Sequence, residues 1–312
     1  MKMQALGTTD LHVSRISLGT VEIGLPYGIG ITEPPTERAA ERILKSALEL
    51  GITYFDTARG YGAAEERIGK FGISKHEGVV IGTKCAQFLE KGEDPRGAEL
   101  EHRIRAEVEE SLHLLRVDSL QLLQLHGGSK EQIERGELIE IMQKLKNKGL
   151  VQHVGIAVRG EEAAQTAIES NFFETIQTAY SILDQRMAPR VLPLAKEHNI
   201  GIINRSVLLK GALTPAAERL PEALTPLKGK ARAAAAIAAA LGIDLPALAI
   251  RFVISNPAIS TALIGTVEPK HLETAIRAVR AGPLPEAVLT ELCRLAIDDR
   301  TQVDPAKWPP IV

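Results

Sequence analysis

The 312-residue chain has a formal net charge of −2, so it lacks the excess of basic residues that nucleic acid or an anionic membrane attracts, and we expect neither partner. Its 45% hydrophobic and 24% charged residues are typical of a globular enzyme, and no stretch has the length or start of a membrane span or signal peptide. Two cysteines, Cys85 and Cys293, form no disulfide framework, which favours a cytoplasmic location.

The chain opens with a hairpin signal and continues with short strand-like runs. Residues 4–17 place the turn signal Gly7-Thr8-Thr9-Asp10 between two short alternating segments, which predicts a β-hairpin. Apolar and β-branched residues then recur in short runs typical of buried strands. These eight runs cover residues 16–20, 53–56, 79–84, 119–125, 153–158, 174–180, 200–204 and 259–265.

Helical patterns separate most of these runs. The pattern at residues 36–50 follows Pro34 and Pro35 and stops at Gly51, and both features are typical of helix ends. The pattern at residues 99–115 repeats apolar side chains along one helical face. Further helices are predicted at residues 133–148, 161–169, 189–198, 231–242, 244–255, 269–279 and 286–297.

Alternation of strands and helices predicts a parallel sheet. Eight repeats without a change in composition favour a closed (β/α)8 TIM barrel, with an N-terminal β-hairpin, extra C-terminal helices and one domain over residues 1–312. An open, doubly wound sheet is the alternative. The glycines after the first strand do not have the GxGxxG spacing that would favour it.

Four residues with complementary chemistry, Asp56, Tyr61, Lys84 and His126, come at or just after the ends of consecutive predicted strands. In a barrel these ends meet at one face, where catalytic residues gather. An ammonium about 4 Å from a phenol, at an effective dielectric near 20, favours the phenolate by roughly 4 kcal/mol, or about three pKa units. We therefore expect Lys84 to lower the pKa of Tyr61, Asp56 to compensate Lys84, and His126 to orient a substrate oxygen.

The sequence offers this cluster no good nucleophile beside a base. The eight histidines form no HxH or HxxxH pair, so a metal site is not expected. Acid–base chemistry at a carbonyl or an alcohol needs an electron partner, and a nicotinamide cofactor is the natural one.

Five segments of the chain resemble the aldo-keto reductase family. They are LGTTDLHVSRISLGT (6–20), GITYFDTARGYGAAEERIG (51–69), IGTK (81–84), LQLLQLH (120–126) and IGTVEPKHLETAI (264–276). The resemblance implies a (β/α)8 barrel whose catalytic tetrad is Asp56, Tyr61, Lys84 and His126. It also implies a metal-free, NAD(P)(H)-dependent oxidoreductase that interconverts a carbonyl (an aldehyde, ketone or sugar) and an alcohol by hydride transfer, with Tyr61 as general acid/base. Most such relatives are monomers or small homo-oligomers.

The resemblance also implies a cofactor site, carried over one position at a time. It places the nicotinamide carboxamide at Gln177, the pyrophosphate near Ser206 and Leu208, and the adenosine ribose near Thr266 and His271. The full set is Gly19, Thr20, Asp56, Gln177, Arg205, Ser206, Leu208, Gly265, Thr266 and His271.

Several of these positions depart from the family pattern. Ala157 and Val158 replace a Ser-Asn pair that bonds the carboxamide, and Arg205 replaces an aromatic that stacks on the nicotinamide. Gly265 and His271 replace a Lys and an Arg that hold a 2′-phosphate. The choice between NAD and NADP therefore stays open.

Two other functions are compatible with the sequence. The altered cofactor positions suit a low-turnover sensor or subunit that binds a nicotinamide cofactor on the same fold. A Schiff-base aldolase using Lys84 is a weaker hypothesis, since Asp56 would keep Lys84 protonated and hinder nucleophilic attack. The tetrad serves both reaction directions, so it selects neither the direction nor the substrate.

Overall fold

Strand pairing closes the eight predicted runs into a barrel. The computed structural model describes residues 3–309. Its strands are β1 (Met3–Ala5), β2 (His12–Ser14), β3 (Ile16–Gly19), β4 (Tyr54–Asp56), β5 (Val80–Cys85), β6 (Leu120–His126), β7 (Val151–Ala157), β8 (Thr175–Ala179), β9 (Gly201–Arg205) and β10 (Ile259–Gly265). An antiparallel hairpin, β1–β2, precedes the parallel barrel, in which β3 to β10 pair in chain order and β10 closes onto β3. The predicted barrel and hairpin are confirmed.

Helices lie between the strands and continue past the last one. They are α1 (Glu37–Glu49), α2 (Ala64–Lys70), α3 (Gln87–Glu90), α4 (Gly97–Leu115), α5 (Lys130–Glu134), α6 (Glu137–Asn147), α7 (Glu161–Glu169), α8 (Val191–Glu197), α9 (Thr225–Ala240), α10 (Leu245–Ser255), α11 (Pro269–Arg280), α12 (Glu286–Cys293) and α13 (Arg300–Val303). Within residues 3–309 no single helix is long and apolar enough to cross a membrane; one pair bent by 93°, Glu222–Ala240 and Leu245–Ser255, reaches that length and composition only jointly.

The helix predictions were incomplete. The helix predicted at residues 133–148 is two helices, because Gly136 adopts a left-handed φ of 81° between α5 and α6. A capping box formed by Ser129 and Gln132 starts α5 earlier than its apolar pattern indicates. The short helices α2, α3 and α13 were missed, since four to seven residues give too little periodicity to stand out.

The hairpin closes the amino-terminal end of the barrel. Leu6 and Val13 of the hairpin join a buried interior cluster of barrel side chains. The barrel members of this cluster are Tyr54, Val80, Leu122, Ile203 and Leu263. Burial of each apolar side chain of this size contributes about 1.5–3 kcal/mol to the stability of the fold. The interior at this end is therefore closely packed, and it also buries the hydroxyl side chains of Ser17, Thr175 and Thr261.

Candidate active site

Strand alternation directs the side chains of Asp56 and Lys84 into the barrel, above the apolar cluster. Residues two apart on a strand face the same side, so Asp56 follows Tyr54 on β4 and Lys84 follows Gly82 on β5. Gly82 leaves room for this arrangement, since a Cβ at that position would overlap the hydroxyl of Tyr54. A buried ion pair therefore lies directly on an aromatic side chain.

Lys84 links three of its neighbours through one ammonium. Its Nζ donates to Oδ1 of Asp56 at 2.5 Å, to the carbonyl oxygen of Thr57 at 2.9 Å and to Oη of Tyr61 at 3.4 Å. Lys84 is fully buried and Asp56 is 2% exposed. The three ammonium protons are thus used, and one of them holds the phenol.

The second carboxylate oxygen of Asp56 is also held by donors. Oδ2 accepts from Nε2 of Gln177 at 2.7 Å, from Nε2 of Gln124 at 3.3 Å and from Oη of Tyr54 at 3.3 Å. Tyr54 and Gln124 were not identified from the sequence. Their positions in the sequence could have identified them. Tyr54 stands two residues before Asp56, and Gln124 two residues before His126, so each shares a strand face with a tetrad member. Asp56 is a fixed counter-charge for Lys84.

The pKa of Tyr61 differs from the expectation. Burial raises the pKa of Tyr61 above its usual value, Lys84 acts to lower it, and Asp56 raises it again, with a net rise. Lys84 acts in the predicted direction, but the predicted net lowering of the Tyr61 pKa is wrong, because burial of the phenol outweighs the ammonium and Asp56 offsets part of the ammonium charge. Burial lowers the pKa of Lys84, but Asp56 and Tyr61 reverse this and raise it overall. Phenol and ammonium are therefore both protonated at neutral pH.

His126 faces Tyr61 as a neutral imidazole. Its ring meets the Tyr61 ring edge-on, with centroids 5.6 Å apart. Burial, with the charges of Lys84 and Arg205, lowers the pKa of His126 well below its usual value. Nδ1 has no hydrogen-bond partner among the described residues, and Nε2 lies 3.9 Å from Oε2 of Glu90, too far for a hydrogen bond. The ring is therefore free to donate a hydrogen bond to an oxygen placed beside Tyr61.

Two glycines lie side by side where the first and last barrel strands end. Gly19 and Gly265 pair in register at the ends of β3 and β10, and a Cβ on Gly19 would make only ordinary contact, at 3.8 Å, with Cα of Gly265. The Thr20 hydroxyl already donates a hydrogen bond to the carbonyl oxygen of Asp56 at 2.9 Å. Gly19 therefore presents backbone without a covering side chain, whereas the carboxyl group of Glu22 packs against Gly265.

The remaining predicted cofactor residues lie around the same end of the barrel. Arg205 ends β9, and Ser206 and Leu208 follow it, with Ser206 at a left-handed φ of 63°. Oγ1 of Thr266 and Nδ1 of His271 are 2.8 Å apart at the start of α11. Burial and then Lys270 lower the pKa of His271, so this ring is neutral. The structure thus brings every predicted site residue to the face that carries the tetrad.

Glu22 is a residue of this face that sequence reasoning missed. Its carboxyl group packs so closely on Gly265 that a Cβ there would overlap Oε1. Oε2 is buried without a hydrogen-bond partner among residues 3–309. Burial raises the pKa of Glu22 to about 7. The sequence signal was an acid in the apolar segment that follows Thr20.

We expect Glu22→Gln to stabilise the protein in a pH-dependent way. The folded-state pKa of about 7 lies above the ordinary 4.5, so ionisation of Glu22 lowers stability between these values and the full cost is present above pH 7. Gln keeps the shape without the charge. The variant should gain about 1–3 kcal/mol near pH 8 and almost nothing near pH 4.5. Urea unfolding at both pH values, with exposed Glu49→Gln as control, measures this; a pH-independent gain would contradict it.

Cys85 and Trp308 have structural environments. Cys85 is buried, and burial raises the pKa of its thiol well above the usual value, so it is an inert core residue. Trp308 is also buried and donates from Nε1 to the carbonyl oxygen of Gln302 at 2.8 Å. It is part of the hydrophobic core of the protein.

Comparison with known proteins agrees with this geometry. The family model for the aldo/keto reductase family matches residues 15–297. The chain is 28% identical to the uncharacterised oxidoreductase YqkF of Bacillus subtilis, covering 94% of this chain and 95% of that protein. It is 29% identical to L-galactose dehydrogenase of Arabidopsis thaliana, covering 96% and 92%. The solved holo form of aldo-keto reductase AKR11C1 from Bacillus halodurans superposes with a TM-score of 0.80 at 28% identity, covering 96% and 97%.

The family match covers nearly the whole barrel, from the residue before β3 to beyond α12. The relatives share the length of the chain as well as its fold. Carbonyl reduction with a nicotinamide cofactor is the chemistry common to this family. The chain belongs to the aldo/keto reductase family and is an NAD(P)-dependent oxidoreductase.

Proposed function

We propose that this enzyme interconverts an aldehyde, ketone or sugar carbonyl with the corresponding alcohol, with Tyr61 as general acid/base. In reduction, Tyr61 gives its phenolic proton to the carbonyl oxygen. His126 donates a hydrogen bond to the same oxygen, and Lys84 stabilises the phenolate left behind. In oxidation the same groups act in reverse. A bound nicotinamide supplies or accepts the hydride.

One observation carries this proposal: a single buried ammonium contacts both an acid and a phenol. Nζ of Lys84 lies 2.5 Å from Oδ1 of Asp56 and 3.4 Å from Oη of Tyr61. When Tyr61 gives up its proton, a negative charge appears beside a cation already in place, which is how preorganised sites stabilise charge in a transition state. The neutral state of His126 supports its role as a donor that adds no charge.

The cofactor residues are proposed from the resemblance to the family, and their position at the mouth of the barrel, the end where the strands' carboxyl ends meet, supports the proposal. Gly19 and Gly265 would lie against the dinucleotide backbone, and Gln177 beside the nicotinamide. Ser206 and Leu208, which begin the segment after β9, would follow the pyrophosphate. Titrating the protein with NADH and NADPH side by side, by fluorescence or calorimetry, measures which cofactor it prefers.

A panel of carbonyl compounds tests the function. It should contain aldehydes, ketones and aldoses, including L-galactose, the sugar named by the Arabidopsis relative, each assayed with NADH, NADPH and the oxidised forms. We expect turnover in at least one class, followed by nicotinamide absorbance. Failure of every class in both directions, with tight cofactor binding, would contradict the proposal.

That negative result would support the second candidate, a low-turnover nicotinamide sensor or subunit. The observation that favours it is the altered surface around β7 and β9. Ala157 and Val158 have no polar side chain for the carboxamide, and the carbonyl oxygen of Val158 accepts from Nη2 of Arg205 at 3.2 Å. The complete tetrad contacts favour the enzyme.

A further inference from the structure

Arg205 is a guanidinium with no carboxylate partner in the mouth of the barrel. Its contacts are a hydrogen bond from Nη2 to the carbonyl oxygen of Val158 at 3.2 Å and one from Nη1 to Oγ of Ser206 at 3.4 Å. Within residues 3–309 no carboxylate oxygen lies within 4 Å of it. Both partners are neutral, so no hydrogen-bonded group carries a charge that offsets the guanidinium.

The charge of Arg205 acts on the reacting groups. It opposes the rise in the pKa of Tyr61, and it adds to the fall in the pKa of His126. Burial, then the neighbouring Arg159, lowers the pKa of Arg205 itself. The guanidinium thus lies within electrostatic reach of the site where the carbonyl would bind.

The second guanidinium of this region, Arg159, provides a contrast. Its Nε donates to Oε1 of Glu90 at 2.5 Å and its Nη1 to Oδ1 of Asp304 at 2.8 Å. Two carboxylates compensate this one cation, whereas Arg205 has none within ion-pair distance among residues 3–309. Glu90 and Asp304 act on Arg205 only at longer range, together with Tyr27.

A half-buried cation without a counter-ion is costly, and an anionic ligand removes that cost. A guanidinium matches a carboxylate through two parallel hydrogen bonds. We propose that Arg205 binds a carboxylate of the substrate, so that the preferred carbonyl compounds are oxo acids, an inference that rests on the proposed function.

The reaction then converts an oxo acid to a hydroxy acid. A bound reduced nicotinamide would supply the hydride that forms the new C–H bond and would be oxidised by that transfer. The C=O π pair moves to the oxygen, which takes the proton of Tyr61. The carboxylate stays unchanged at Arg205 and fixes the orientation of the carbonyl.

Paired substrates test this inference. Oxo acids with a terminal aldehyde and two to six carbons, and 4-carboxybenzaldehyde, are compared with their methyl esters, which keep the carbonyl but lose the charge. The readout is the ratio of kcat/KM for acid over ester. This ratio cancels any effect of a variant on cofactor binding or on the chemistry shared by both substrates.

For the wild type we expect a ratio of about 10 or more for the best chain length. Arg205→Gln should lower it about 10- to 100-fold, the usual effect of losing a hydrogen bond to a charged group. Arg159→Gln is the control. Arg159→Gln removes a positive charge from the same region and leaves Glu90 without its partner. If the acid preference came only from the local electrostatic field, this variant would lower the acid-to-ester ratio as well. An equal fall of that ratio in both variants would overturn direct binding by Arg205.

A second measurement needs no variant. Benzoate should inhibit the wild type competitively against an uncharged aldehyde at least about 10-fold more strongly than benzamide does. Equal inhibition by the two would overturn the inference even if Arg205→Gln fails to fold.

The remaining outcomes separate the two claims. Good turnover with equal rates for acids and esters would overturn the oxo-acid inference and leave the proposed function standing. A weaker affinity of Arg205→Gln for NADH or NADPH, with an unchanged acid-to-ester ratio, would assign the anion to a cofactor phosphate and also overturn it. No turnover of either substrate type by the wild type, together with an inactive carbonyl panel, would remove the proposed function itself.

Discussion

Tyr61→Phe should lower kcat about 10²- to 10⁴-fold, the range contributed by a positioned general acid. Oη of Tyr61 is the hydroxyl that Lys84 holds at 3.4 Å, and the edge of the His126 ring faces it. Phe keeps the ring and removes only the proton donor. We therefore expect the dissociation constants of NADH and NADPH to change less than about threefold, as measured by fluorescence titration alongside steady-state kinetics.

Tyr27→Phe is the matched control for this loss. Tyr27 belongs to the loop at residues 24–30, is 37% exposed and lies under the ammonium of Lys210, whose Nζ is 5.3 Å from the ring centroid. Removing this hydroxyl should leave kcat within about threefold. Near-normal turnover of Tyr61→Phe, or an equal loss in both variants, would mean that Tyr61 is not the proton donor.

Asp56→Asn should have the second large effect, on stability as well as activity. Removing one partner of a buried ion pair leaves an uncompensated charge and costs about 3–5 kcal/mol. Asn also turns an amide NH₂ toward side chains that now donate to Asp56, including Gln177 at 2.7 Å. We expect a fall of that size in the free energy of unfolding in urea, together with a loss of turnover.

A double-mutant cycle separates the ion pair from general disruption. Lys84→Met removes the cation, and Asp56→Asn combined with Lys84→Met removes both charges. The double variant should be more stable than the sum of the two single losses predicts, by about 1–3 kcal/mol, since neither charge is left unpaired. Strictly additive losses would show that the buried pair is not energetically coupled.

The positions of the tetrad could be predicted because they depend on short-range features of the sequence. Each member follows an apolar strand run, and parallel strands bring their carboxyl ends to one face. The same local logic explains the errors. Gly136 breaks a helix whose apolar pattern continues through it, and α2 is too short to show a clear period.

The contacts of Asp56 depend on barrel closure, which no local pattern contains. Tyr54, Gln124 and Gln177 come from three different strands, and only the closed register places their donors on one carboxylate. The net pKa of Tyr61 depends on the same closed surroundings. The sequence indicates that Lys84 favours the phenolate and that Asp56 compensates Lys84, but only the structure shows that burial of the phenol outweighs the ammonium.

The net charge of the chain gives no information about the local environments of Glu22 and Arg205. The chain is nearly neutral as a whole, yet the mouth contains an acid whose Oε2 has no described partner and a guanidinium without a counter-ion within 4 Å among residues 3–309. Neither property is visible without the three-dimensional neighbours. Glu22 affects stability, and Arg205 bears on ligand selection, which the tetrad alone does not determine.

A single turnover of enzyme-bound reduced nicotinamide with a reactive aldehyde tests most directly whether Tyr61 delivers the proton. Wild type and Tyr61→Phe are each loaded with the preferred reduced cofactor, mixed rapidly with excess aldehyde and followed by nicotinamide absorbance. We predict equal starting signals, because both bind the cofactor, and a decay at least about 100-fold slower in the variant. Equal decay rates in the two proteins would contradict this role of Tyr61.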